Sequence, residues 1–284
     1  MTGPLISTDD LERDLRNPDL RILDASWHLD GTNARKAFEA ARIPKARFFD
    51  LDAVSDQDSS LPHMLPSPEA FAASMGALGI RESDDIVVYD ALGLFSAARA
   101  WWMLRVMGAE RVRVLDGGLP AWRAEGRLLQ TGPMTRPRPV AFHARLDAEA
   151  VADRSDVAAS LNDPARRVLD ARPEPRFTGR AEEPRPGLRV GHMPGAANLP
   201  FKGLLTQDGH LQPGDQLAAA FRDAGLQDDQ IALTTCGSGV TAAVLSLALA
   251  VLGRDNRLYD GSWAEWGADD GGPVVTGDAG PPPR

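Results

Sequence analysis

At 284 residues, with 43% hydrophobic and 25% charged side chains, the chain is long enough for two ordinary domains with sizeable cores and too apolar to be disordered over most of its length. Its 31 basic and 40 acidic residues give a net charge of −9, which disfavours a polyanionic backbone, so no nucleic-acid partner is expected. Met1 to Arg13 has neither a basic start nor an apolar centre, and the most apolar stretch, Val240 to Leu252, is 13 residues long, too short to span a bilayer. A single cysteine excludes an intramolecular disulfide and suits a reducing compartment, so a cytoplasmic monomer without membrane association is the default expectation.

In chain order, short Val/Ile/Leu runs predict strands near 21–24, 86–89 and 112–115, and again near 167–170, 231–235 and 257–259. Helical patterns cover 67–78, 95–107, 213–224 and 240–252. This alternation predicts an α/β fold in which mainly parallel sheets are covered by helices on both faces.

The chain also repeats itself. Leu23-Asp24-Ala25 matches Leu169-Asp170-Ala171, and Val87-Val88-Tyr89-Asp90 matches Leu233-Thr234-Thr235-Cys236, both at an offset of 146 positions. Leu115-Asp116-Gly117-Gly118 through Trp122 matches Tyr259-Asp260-Gly261-Ser262 through Trp266 at 144. Two copies of one domain follow, over 1–128 and 145–267. They are joined by a Pro-rich extended linker over 129–144, with a flexible Gly/Asp/Pro-rich tail over 268–284.

The two copies differ at the end of one strand, where the first has Asp90 and the second has Cys236. Cys236 stands between the apolar run 231–235 and a helix start, in Cys236-Gly237-Ser238-Gly239-Val240-Thr241-Ala242. The first turn of a helix leaves backbone N–H groups that favour an anion. Gly237 and Gly239 let the backbone curl round the sulfur without a Cβ in the way. Such a cradle favours the thiolate, the nucleophilic form of cysteine. An aspartate cannot carry sulfur, so the first domain is expected to be catalytically silent and to supply one wall of a cleft.

The CGSGVTA string after a strand resembles the active-site loop of the 3-mercaptopyruvate sulfurtransferases, within the rhodanese superfamily. The resemblance runs from about residue 5 to 267 and implies two tandem rhodanese-like domains. Sister thiosulfate sulfurtransferases place basic residues where this chain has Gly237 and Ser238, and related phosphatases carry an arginine where it has Ala242. Arg176-Phe177-Thr178-Gly179 with Arg185 nine positions on resembles the family's substrate loop, which implies that Arg176 and Arg185 hold the substrate carboxylate and carbonyl. A guanidinium fork suits a carboxylate. Arg172, Arg180 and Arg189 are read as ordinary loop charges. Asp52 and His63 also fall on family motifs, implying a Ser/His/Asp-like relay with Ser238, while Gly237, Gly239, Val240 and Thr241 line the sulfur site.

The resemblance implies that Cys236 takes sulfur from 3-mercaptopyruvate as a persulfide and passes it to thioredoxin, a small dithiol or cyanide. Thiosulfate:cyanide transfer and a non-catalytic sulfide-binding or regulatory module are the alternatives. No cofactor is called for, and no His/Cys/Asp spacing resembles a metal site. Two departures from the pattern stand out. Lys45 occupies a position after Ile-Pro where glycine is usual, and Phe95 a helix start often held by tyrosine.

Overall fold

In the computed structural model, residues 3–278 are described. The chain divides into two compact units. Among the described residues the first comprises 3–58, 65–147 and 205–211, and the second 59–64, 148–204 and 212–278. Short segments are thus exchanged between the halves of the sequence. Leu205–Leu211 belongs to the first unit and Ser59–Met64, which carries His63, to the second.

The first unit contains a five-stranded sheet of β1 (Leu5–Ile6), β2 (Leu20–Asp24), β3 (Arg47–Phe48), β4 (Asp85–Tyr89) and β5 (Arg111–Leu115), in the order β1-β5-β4-β2-β3 with every pair parallel. Successive side chains of a strand point to opposite faces. Val87 and Tyr89 join a core with Leu11, Phe38 and Trp122 from the flanking helices. Ile86 and Val88, on the other face, are equally sealed from solvent, and the helix Ala97–Val106 packs on β4 and β5. Both faces are therefore covered, which is why neighbouring strand positions on opposite faces, such as Ile86 and Val87, are both apolar.

The second unit repeats this plan with β6 (Val151–Ala152), β7 (Arg166–Asp170), β8 (Ala197–Asn198), β9 (Ile231–Thr235) and β10 (Asn256–Tyr259), in the parallel order β6-β10-β9-β7-β8. One face meets Val157, Phe177, Trp263 and Trp266. The other is covered by the helix Ala242–Val251, whose residues 242–249 are all buried. The Thr234 and Ser246 hydroxyls, 2.9 Å apart, tie that helix to β9.

The linker and the described part of the tail both pack against the domains they adjoin. The linker has no helix or strand yet packs on the first unit: the Val140 N–H donates to the Gly76 carbonyl, Gln130 bridges Arg42, and Phe142 meets Phe71 edge-on. The tail is packed as far as it is described. Val275 forms an antiparallel bridge with His192, the Trp266 indole donates to the Pro273 carbonyl, and Arg189 donates to the Gly272 carbonyl. Residues 279–284 of the expected flexible tail lie outside the described residues.

Lys45 explains its own departure from the family pattern. Its φ of 67° lies in the left-handed region, which glycine enters without steric cost, and the matching Gly195 of the second unit has φ 78°.

Candidate active site

Cys236 follows the C-terminal end of β9, the end at which open parallel sheets place their ligands. Its side chain is buried in a loop that runs to the helix start at Ala242. Two carbonyls of the loop are tied down: the N–H groups of Trp263 and Ala264 donate to those of Cys236 and Gly237, each at 2.9 Å. The backbone N–H groups of Gly237, Ser238, Val240, Thr241 and Ala242 have no hydrogen-bond partner among the described residues. Gly239 has φ 76°, a bend that a residue without a Cβ makes freely.

The first unit shows what such a loop does with an anion. There the Asp90 carboxylate accepts from the N–H groups of Leu92, Phe95 and Ala97 at 2.7–2.8 Å. Burial raises the Asp90 pKa, and these backbone donors oppose the rise.

Both proposed substrate arginines come to the cysteine loop. A Cβ built on Gly237 would lie 3.0 Å from Arg176 Nη2 and 3.8 Å from Arg185 Nη1. Arg185 Nη2 donates to Ser238 Oγ at 3.2 Å, and His63 Nδ1 lies 3.0 Å from the same oxygen. A guanidinium can only donate, so Ser238 accepts from Arg185 and keeps its own proton to give. His63 is buried with φ 61°, an unusual backbone state for a non-glycine residue.

Glu183 was not singled out in the sequence, where it is one acid among the charges of the arginine loop. Its side chain is 2% exposed. It accepts from Arg176 through Nε at 3.2 Å and Nη2 at 2.5 Å, and from Arg172 Nη1 at 2.7 Å. Arg172 in turn grips Asp170 and lies 4.0 Å above the Trp263 ring. Burial works against the charge on Arg172, but Asp170 and Glu183 outweigh it and its pKa is raised. The buried order Asp170, Arg172, Glu183, Arg176 thus presents Arg176 on a fixed base. Arg180 pairs with Glu174, and Arg189 holds the Trp266, Gly267 and Gly272 carbonyls, so both are occupied away from the loop.

Asp52 belongs to the first unit, in the first turn of Leu51–Val54, and its carboxylate accepts from the Trp27 indole at 3.1 Å. His192 is buried against Phe177, with ring centroids 3.8 Å apart, and Nδ1 lies 2.9 Å from the Phe177 carbonyl. Among the described residues no group of three or more His, Cys, Asp or Glu could hold a metal ion, and no helix is long and apolar enough to cross a membrane.

The model of the rhodanese-like domain matches residues 7–125 and 153–269. The chain belongs to the rhodanese family. Two rhodanese-like domains in tandem account for the internal repeat, and the second holds the cysteine loop. The chain is 44% identical over 267 residues to the 3-mercaptopyruvate sulfurtransferase of Escherichia coli K12, covering 93% of this chain and 94% of that one. It is 40% identical to a thiosulfate sulfurtransferase of Cricetulus griseus, covering 92% and 91%. The crystal structure of the E. coli 3-mercaptopyruvate sulfurtransferase SseA superposes with a TM-score of 0.84 at 41% identity, over 93% of this chain and all of that one.

Proposed function

We propose that this rhodanese is a 3-mercaptopyruvate sulfurtransferase. The observation that carries the reading is the meeting of Arg176 and Arg185 at Gly237, directly beside Cys236, with the Ser238 hydroxyl next in the loop. Two guanidinium forks suit a 2-oxo acid, one for the carboxylate and one for the carbonyl oxygen. The Cys236 thiolate attacks the thiol sulfur of the substrate and the carbon–sulfur bond breaks. Its electron pair leaves as pyruvate enolate, which takes a proton to give pyruvate, and Cys236 is left as a persulfide. A thiolate acceptor then attacks the outer sulfur and releases the Cys236 thiolate. The acceptor is thioredoxin or a small dithiol, and cyanide serves in the same role to give thiocyanate.

Ser238 is placed in this reading to donate to the developing enolate and to be reloaded through His63. Asp52 enters as a relay residue through the family resemblance alone. Gly237, Gly239, Val240 and Thr241 supply backbone rather than side-chain chemistry. The cytoplasm remains the proposed compartment.

A second reading, thiosulfate:cyanide transfer, has one observation in its favour. The arginines at Gly237 supply positive charge that thiosulfate sulfurtransferases carry on the loop itself. Steady-state turnover of 3-mercaptopyruvate and thiosulfate side by side separates the two. A higher kcat/KM for thiosulfate would replace the first reading with the second.

A further inference from the structure

The turn before the helix Ser262–Trp266 differs chemically between the two domains. In the first, Gly118 has φ 55°, and a Cβ there would meet the Gly93 and Asp90 carbonyl oxygens at 2.5 and 2.6 Å. In the second, the repeat puts Ser262 at that place, fully buried, with φ 50°. The second domain makes with a serine the left-handed turn that glycine makes freely, and a Cβ in that region is disfavoured. A strained residue persists where the surroundings need it.

What the serine adds is an acceptor behind the cysteine loop. Ser262 Oγ accepts from the N–H groups of Gly239 at 3.0 Å and Cys236 at 3.3 Å, and donates to the Tyr259 carbonyl at 2.9 Å. Its proton and both acceptor directions are committed. In the first domain the Asp90 carboxylate holds its own loop from inside through backbone N–H groups, those of Leu92, Phe95 and Ala97 among them. Cys236 brings no oxygen to do this. The hydroxyl of Ser262 takes over the holding from outside, while the N–H groups of Gly237, Ser238, Val240, Thr241 and Ala242 stay without hydrogen-bond partners among the described residues.

We propose that Ser262 is a positioning residue for sulfur transfer: it pins the Cys236 and Gly239 amides so that the remaining loop amides are kept for the sulfur anion. This rests on the sulfurtransferase reading of the same site, but its test does not depend on it. Ser262→Gly removes the hydroxyl and the strain together; Ser262→Ala removes only the hydroxyl. The assay compares Cys236 alkylation by iodoacetamide at neutral pH, melting temperature, and kcat and KM for 3-mercaptopyruvate.

With Ser262→Gly the melting temperature stays at or above that of the wild type, alkylation slows at least tenfold, and kcat falls by a similar factor with KM little changed. Ser262→Ala loses the same reactivity and melts lower than Ser262→Gly. Alkylation within twofold of wild type in both variants overturns the proposal, as does a Ser262→Gly protein that melts well below wild type, since the residue would then be a fold element only. A wild type inactive on 3-mercaptopyruvate would remove the sulfurtransferase reading and leave the alkylation comparison to decide Ser262.

Discussion

His63 Nδ1 and Ser238 Oγ stand 3.0 Å apart, although the two residues are 175 positions apart in the chain. The contact exists because Ser59–Met64 leaves the first half of the sequence to pack with the second domain. Arg185 donates to the same hydroxyl, so Ser238 holds its proton between a fixed cation and an imidazole. Ser238→Ala should lower kcat for 3-mercaptopyruvate by about tenfold to a thousandfold, the range for a lost proton donor or oxyanion contact, with a smaller change in KM. His63→Gln should give a loss of the same kind. Steady-state kinetics check this; a pure KM effect would make Ser238 a binding residue only.

Arg176 is held by Glu183, and the pair makes carboxylate recognition testable apart from general attraction of anions. A charge-assisted hydrogen bond contributes roughly 1.5–3 kcal/mol, so Arg176→Ala or Arg185→Ala should lower kcat/KM for 3-mercaptopyruvate by about ten- to a hundredfold. Lysine keeps the charge without the fork and should rescue only part. Arg180→Ala changes net charge equally and should do little, because Arg180 pairs with Glu174 away from the loop. Equal losses at all three positions, erased by salt, would contradict the assignment.

Glu183→Ala would leave Arg172 and Arg176 without their shared acceptor. Removing one partner of a buried ion pair costs about 3–5 kcal/mol, so the variant should melt well below wild type as well as lose activity. Calorimetry on Glu183→Ala beside Arg176→Ala checks the order: Glu183→Ala should melt lower, because it also takes one of its two carboxylate partners from buried Arg172.

The longer elements were legible in the sequence. β2, β4, β5, β7, β9 and β10 fall within a residue or so of the predicted runs, because strands covered on both faces carry Val, Ile and Leu at successive positions near their C-terminal ends, even where arginines such as Arg113 and Arg167 interrupt them. The two-residue strands β1, β3, β6 and β8 carry too few side chains for any pattern to register. Short helices such as Thr8–Asp14 and Arg154–Ser160 were not predicted; their sequence signal is confined to caps, Ser7 and the Asp153/Asp156 capping box. At the site, Cys236 stood out through its place between a strand and a Gly-x-Gly helix start, and Arg176 and Arg185 only through the resemblance of their loop to the family's substrate loop. Glu183 and Ser262 did not. Glu183 acts through burial, which a charge cluster does not reveal, and Ser262 through a backbone state visible only as a serine at a glycine position of the repeat.

A side chain at Gly237 should disturb the Arg176 fork. An alanine Cβ would press on Arg176 Nη2 at 3.0 Å, and an arginine would add like charge between Arg176 and Arg185. Gly237→Arg with Ser238→Lys should therefore lower 3-mercaptopyruvate use, by displacing the fork and removing the hydroxyl, and shift preference toward the thiosulfate dianion. The ratio of the two kcat/KM values measures this. An unchanged ratio would locate donor selectivity elsewhere.

His192 sets a pH dependence of stability. Burial lowers its pKa and the Phe177 carbonyl opposes this less strongly, so the folded chain binds the proton less readily than the unfolded one. Stability contributed here is present above the unfolded histidine value of about 6.5 and is lost as pH falls below it. Wild type should lose more melting temperature between neutral and mildly acidic pH than His192→Gln. Parallel curves would show that other groups govern the acid limb.

The central claim, that Cys236 carries the transferred sulfur, is tested most directly by intact-protein mass spectrometry after incubation with 3-mercaptopyruvate in the absence of an acceptor. The account predicts a gain of one sulfur atom located at Cys236, reversed by a dithiol and absent from folded Cys236→Ser. Pyruvate release with no sulfur adduct on the wild type, or turnover retained by Cys236→Ser, would contradict it.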